Sequence, residues 1–141
     1  MNRVAKVLVY ATRPDGELLV FEHGERDAGV QVPGGTVEPD EPLPEAAVRE
    51  LREEAGVEAT GVEKLGAVDR PHPHREEVHE RHFFHAVVEE SRDRWTHVVG
   101  GGGEDDGMRF ECYWLSFEEA RSALGRDQEA YLDALEHDRA N

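Results

Sequence analysis

From Gly35 to Val57 the chain reads Gly-Thr-Val-Glu-Pro-Asp-Glu-Pro-Leu-Pro-Glu-Ala-Ala-Val-Arg-Glu-Leu-Arg-Glu-Glu-Ala-Gly-Val, and no other stretch limits the fold so strongly. A short helix follows from it. Proline is tolerated in a first turn and acidic residues suit the positive end of the helix dipole, so the start lies around Glu41 to Pro44. The helix should stop at Ala55, with Gly56 available as a left-handed cap. Counting about 100° per residue from Glu50, Glu53 falls near −60° and Glu54 near +40°, while Val48, Leu51 and Ala55 gather between roughly +100° and +160°. The acids share one face and the apolar residues another.

Like charges three and four apart on a helix repel, more strongly when desolvated. Arg49 stands close enough to compensate one acid, which leaves two uncompensated. A hard cation with oxygen ligands, Mg²⁺ or Mn²⁺, is one natural counter-charge. A solvated acidic helix face is the other reading of the same residues, and from the helix alone both stay open.

The spacing carries a resemblance. Gly35, five residues, Glu41, seven residues, Arg49-Glu50-Leu51, one residue, Glu53-Glu54, one residue, Gly56-Val57 is similar to the Nudix box, with every fixed position of that pattern filled. The box covers about a sixth of the chain. The resemblance implies an α/β fold, the Nudix α/β/α sandwich with a mixed β-sheet, and hydrolysis of a pyrophosphate link. It also implies a Mg²⁺ (or Mn²⁺) cofactor and a small nucleotide substrate: a nucleoside diphosphate linked to another moiety, such as a nucleoside triphosphate, ADP-ribose, a nucleotide sugar or a dinucleoside polyphosphate. Carried over, Glu50 and Glu54 are the main metal ligands and Glu53 is a further ligand or the base that takes the proton from water. Arg49 orients Glu41 or Glu53, and the Gly35 carbonyl completes the metal shell. The alternative is a non-catalytic nucleotide-binding module of the same fold, which would bind without turnover.

At 141 residues the chain suits one domain over 1–141. Acidic residues outnumber basic ones 32 to 16, for a formal charge of −16. That balance opposes polymeric nucleic acid and anionic membranes as partners. It would also repel a phosphate ester, so a metal ion would have to bridge substrate and protein. The lone Cys112 cannot form an internal disulfide, and no apolar run approaches the roughly 20 residues of a membrane span. A cytoplasmic setting is the expectation, and a homodimer the default assembly.

Along the chain, Val4 to Ala11 reads as a buried strand, Thr12 to Gly16 as a turn and Leu18 to Phe21 as the hairpin partner. Gly29 to Val32 reads as a short strand leading into Pro33-Gly34-Gly35, where absent side chains let backbone approach a ligand. Val57 to Val68 looks extended, Asp69 to His74 irregular, and Arg81 to Val88 extended again. Gly100 to Gly107 is a flexible hinge. Met108 to Leu115 alternates, with Phe110, Cys112 and Trp114 on one face. Phe117 to Leu124 and Gln128 to Leu135 read as closing helices.

Outside the box, Glu111 is the downstream carboxylate best placed to reach the metals, because a strand can aim it. Glu104, Asp105 and Asp106 fit an acidic loop kept in solution as well as they fit a ligand. Trp95, Tyr113 and Phe83 offer stacking surfaces for a base, although strand aromatics more often belong to a core. His79, His82 and His85 recur every three residues, which in a strand sends successive side chains to opposite faces and argues against a shared zinc site. His72 and His74 read as exposed loop residues. Pro73 occupies a position resembling one associated with ADP-ribose hydrolases. The leaving group is expected to be read by loops around 69 to 80 and 95 to 107.

Overall fold

Val7-Leu8-Val9-Tyr10-Ala11 is apolar without alternation, as a strand covered on both faces requires. All five are buried, within β1 (Asn2–Thr12). The computed structural model describes residues 2–103 and 105–140, with side chains to Glu136. After β1 come β2 (Leu18–His23), β3 (Gly34–Thr36), α1 (Leu43–Ala55), β4 (Ala59–Pro71), β5 (Glu77–Val88), β6 (Arg94–Val98), β7 (Arg109–Leu115), α2 (Phe117–Ala123) and α3 (Leu132–Ala140).

The sheet is mixed, in the order β4-β5-β1-β2-β7-β6, with β1 and β5 parallel along eleven paired residues and the other pairs antiparallel. Odd residues of β1 pack with Ala46, Ala47, Leu51 and Ala55 of α1, and even ones with Phe117 and Ala120 of α2 and Leu132 and Leu135 of α3. Helices therefore cover both faces, the α/β/α sandwich that the box implies. Among the described residues no helix is long and apolar enough to cross a membrane.

One departure from a regular sheet makes the site. β1 and β2 pair only at Thr12 and Leu18, beside their turn, and then diverge. The gap takes β3, which pairs antiparallel with Lys6, Val7 and Leu8 of β1. On the far side of the gap Phe21 and Gln31 exchange backbone hydrogen bonds at 2.9 and 3.0 Å. A cleft opens between the two halves of the sheet.

Several boundaries differ from the sequence expectation. Residues 29–32 form isolated bridges instead of a strand, and the strand lies just beyond them at Gly34–Thr36. Glycine has little strand preference, and only its pairing with the buried β1 holds it extended. β4 continues to Pro71 and β5 begins at Glu77, so much of the expected 69–74 loop is strand. Pro71 sits on an edge strand, where no ladder donor is needed. β6 falls within the expected 95–107 loop. Residues 126–131 are turns, with Arg126 and Asp127 both at positive φ, so the last helix starts at Leu132 instead of Gln128.

Candidate active site

α1 carries the acids to the cleft. Its N-cap is Pro42 with no side-chain cap, and its C-cap Gly56 sits at φ 70°, donating its N–H to the Arg52 carbonyl at 2.9 Å. The buried stripe holds Ala46, Ala47, Leu51 and Ala55, but also Glu50 and Glu54 at 8% and 6% exposure. Small alanines let the helix lie close to the sheet, and the acid stripe is drawn under with them. A merely solvated acidic face is thereby excluded for Glu50 and Glu54.

The two buried carboxylates meet the glycine strand. Glu54 Oε1 accepts the Gly34 N–H at 2.7 Å. Gly35 lies so close to Glu50 that a β-carbon there would stand 2.5 Å from Oε1. Desolvation outweighs the neighbouring Arg49 and pushes the Glu50 carboxyl up to about 7. Glu54 is raised well above the ordinary range, first by burial and then by the charge of Glu50. Two buried acids, one raised further by the charge of the other, want a cation.

Arg49 gathers the remaining acids. Its Nε and Nη2 bind Glu41 at 2.7 and 3.0 Å, its Nη1 reaches Glu50 at 2.8 Å and Glu53 at 3.1 Å, and Nη2 also donates to the Thr36 carbonyl at 3.1 Å. This bidentate hold lowers the Glu41 pKa and raises that of the guanidinium. Arg49 and Glu41 thus form a bidentate ion pair, with Glu53 on the outer side. The Glu53 carbonyl accepts from the Gly100 N–H at 3.2 Å and contacts His97 Nε2 at 3.0 Å, and a β-carbon at Gly101 would stand 2.3 Å from the Glu53 carboxylate. The glycine segment expected to be a hinge is docked against the helix.

Of the predicted site residues, Glu41, Arg49, Glu50, Glu53, Glu54 and Gly35 converge on this cleft. As arranged, no three carboxylate, imidazole or thiol side chains among the described residues stand together as ligands of one ion. Glu50 and Glu54 with the backbone of Gly34 and Gly35 form the inner group, while Glu53 is held by Arg49. All are oxygen donors, the set that Mg²⁺ or Mn²⁺ takes.

Four predicted residues lie elsewhere. Glu111, on β7, accepts from Thr96 Oγ1 at 2.8 Å, separated from β1 by β2. The downstream carboxylates that line the cleft are Asp105 and Asp106, and Asp105 helps raise the Glu54 pKa. Glu104 lies outside the described residues. Trp95 is buried beneath the end of α1, its Nε1 donating to the Ala55 carbonyl at 2.9 Å, and Phe83 is fully buried. Tyr113 is tied through its hydroxyl to Glu22 at 2.7 Å, with the Arg94 guanidinium 4.6 Å from its ring centroid. Each aromatic is occupied by packing, and none offers a face to a base in the cleft.

Beyond Glu54 the cleft widens to about 530 Å³, and its outer wall is basic, formed by Lys6, Arg70, Arg81 and Arg126. His72, Pro73, His74 and His79 line it as well. Sequence reasoning missed this wall, because an overall charge of −16 conceals a local concentration of the opposite sign. The missed signal was the pairing of β1, β5 and β4, which no linear spacing displays. His79, His82 and His85 do not converge: His85 Nε2 meets Thr12 Oγ1 at 2.7 Å, His79 meets Glu77 at 2.7 Å, and His82 Nδ1 is buried without a partner.

Comparison with known proteins agrees with this geometry. The profile of the NUDIX domain matches residues 2–136. Diphosphoinositol polyphosphate phosphohydrolase 3-alpha of Mus musculus is 30% identical over 135 residues, 96% of this chain and 76% of that protein. Nudix hydrolase 4 of Arabidopsis thaliana is 33% identical over 97 residues, 69% of this chain, and the matched part spans only 42% of the plant protein. A solved MutT protein from Methanosarcina mazei Go1 superposes with a TM-score of 0.73 at 20% identity, covering 99% of this chain and 97% of that one, which speaks for the fold alone.

Proposed function

The chain belongs to the Nudix hydrolase family and is a Nudix-type pyrophosphohydrolase, and from that premise we propose that it cleaves a diphosphate link only with a bound divalent cation, Mg²⁺ or Mn²⁺. The observation that carries the metal requirement is the buried pair Glu50 and Glu54, one helical turn apart against the glycine pair Gly34 and Gly35, both with raised pKa. Glu50, Glu54 and the Gly35 carbonyl would hold the ion. A bound dication supplies neutralisation of the diphosphate oxygens and a lowered pKa for the attacking water. Arg49 keeps Glu50 and Glu53 in place through charge-assisted hydrogen bonds, and Glu41 holds Arg49. Glu53, at the outer side with 22% of its side chain exposed, is the group positioned to take a proton from water.

For the substrate, a nucleoside diphosphate derivative is the reading that follows from the box. A second reading, a diphosphate on a polyphosphorylated small molecule, is favoured by the basic outer wall and by the named activity of the murine relative. A hydrolysis screen over nucleoside triphosphates, ADP-ribose, nucleotide sugars, dinucleoside polyphosphates and diphosphoinositol polyphosphates tests both. Turnover should require added Mg²⁺ or Mn²⁺ and vanish in EDTA. Glu54→Gln should lower kcat by about a hundredfold or more with an unchanged circular dichroism spectrum. Wild-type rates in that variant would refute the site, and metal-independent binding without turnover across the panel would favour a non-catalytic module.

A further inference from the structure

We propose that Lys6, Arg70, Arg81 and Arg126 form a polyphosphate-binding wall that receives substrate phosphates outside the cleaved link, so that the chain selects a compact, multiply phosphorylated molecule over a nucleoside. This deepens the pyrophosphohydrolase reading and rests on it.

Sheet register assembles the wall. Lys6 of β1 is paired with Arg81 of β5, and Arg70 of β4 is paired with His79, two residues before Arg81 on the same strand. Cross-strand partners and i, i+2 neighbours share a face, so these four side chains project from one side of three adjacent strands. Like charges directly opposite in a sheet destabilise it, so Lys6 beside Arg81 is a cost to the fold. The neighbouring acids Asp69 and Glu80 project from the opposite face, where Arg3 neutralises both at 2.7 and 2.6 Å. Charge is sorted between the two faces.

Arg81 carries the argument furthest. It is 6% exposed, lines the cleft, and forms no ion pair among the described residues. Its Nη1 donates to the Arg126 carbonyl at 2.6 Å, and its guanidinium lies 6.0 Å from the Phe83 ring centroid. A buried cation lacking a carboxylate is costly unless an anion arrives to meet it. Arg126 is brought to the same cleft by a turn in which it adopts φ 57°, a strained conformation for arginine. Gln128 fixes that turn, since its Oε1 accepts the Val32 N–H at 2.8 Å and its carbonyl accepts the Tyr10 hydroxyl.

Acids do face the wall, but sparsely. Asp127 approaches Arg70 at 3.4 Å at an exposed position, Asp127 and Glu129 also act on Arg81 through charge without forming an ion pair with it, and Glu77 pairs with His79. Glu54 and Asp105 belong to the inner end. Large aromatic faces are also scarce: among the described residues that line the cleft Phe21 is the one carbocyclic ring, buried against Phe110 with centroids 4.1 Å apart, and the other rings are the imidazoles of His23, His72, His74 and His79. Anionic groups have four basic partners here, and a Trp or Tyr platform for a nucleobase is absent from the described residues that line the cleft.

Isothermal titration of the whole chain in EDTA, with inositol hexakisphosphate as the compact polyphosphate and AMP as the nucleotide, measures this without turnover. Inositol hexakisphosphate should bind at least about tenfold more tightly than AMP, and the surface variants Arg70→Ser and Arg126→Ser should each weaken it by about tenfold. Arg81→Met, checked for folding by circular dichroism, should weaken it further. Equal affinity for the two ligands, or unchanged hexakisphosphate binding in both surface variants, would overturn the proposal. Hydrolysis assayed separately with Mg²⁺ keeps the outcomes apart, since a chain that binds hexakisphosphate but cleaves no diphosphate would sink the catalytic reading and leave the wall standing.

Discussion

Single residues set the reactive geometry through what they lack as much as through what they bear. Gly35 has an ordinary backbone conformation, yet a methyl there would stand 2.5 to 2.6 Å from three atoms of the Glu50 carboxylate. The flexible carboxylate can move aside, so Gly35→Ala should leave thermal stability nearly intact while lowering kcat by about 10–100-fold. A variant with the wild-type rate would show that Glu50 need not occupy its present position. At this scale the sequence was legible: the box located Glu41, Arg49, Glu50, Glu53, Glu54 and Gly35 by spacing alone. It was not legible for Arg81 and Arg126, whose importance arises from burial and from a turn at positive φ, neither of which a linear pattern records. Glu111 was favoured over Asp105 because strands aim side chains, but the strand in question aims away from the cleft.

Among the elements, α1 and the segment after β6 act as one unit. Gly56 ends the helix in the left-handed region, and a β-carbon at that position would stand 2.8 Å from the His97 ring, which itself contacts the Glu53 carbonyl. Gly56→Ala should therefore cost about 1–2 kcal/mol from the backbone alone and lower the melting temperature by several degrees. Calorimetry of the variant measures it, and an unchanged transition would contradict the cap. α1 was read correctly to its last residue because its period, prolines and glycine stop agree. β3 and β6 were unreadable for a common reason: a strand of three residues or one in a polar stretch is made by its partner, not by its own propensity.

For the whole molecule, proton linkage runs in two directions. Burial lowers the pKa of His82 and of His23, and His82 Nδ1 has no hydrogen-bond partner. A depressed histidine contributes stability that is full above its unfolded value of about 6.5 and is lost as pH falls below it. Glu50, pushed up to about 7, acts oppositely, favouring the folded chain as pH falls through that value. The histidine effect is isolated by comparison: the melting temperature of His82→Gln relative to wild type should rise as pH drops from about 7.5 to about 5.5. A pH-independent difference would mean that His82 titrates freely in the fold.

The divergence of β1 from β2 beyond Thr12 and Leu18 has one more consequence. Because Glu54 grips Gly34, and Gly34 pairs with Leu8 in a strand covered on both faces, the chemical centre is anchored to the buried middle of the sheet. The rim can therefore drift among variants and substrates with little disturbance to the acids below. A single hearth can serve many doorways, and change in what the protein accepts can be confined to the basic rim without rebuilding the room behind it.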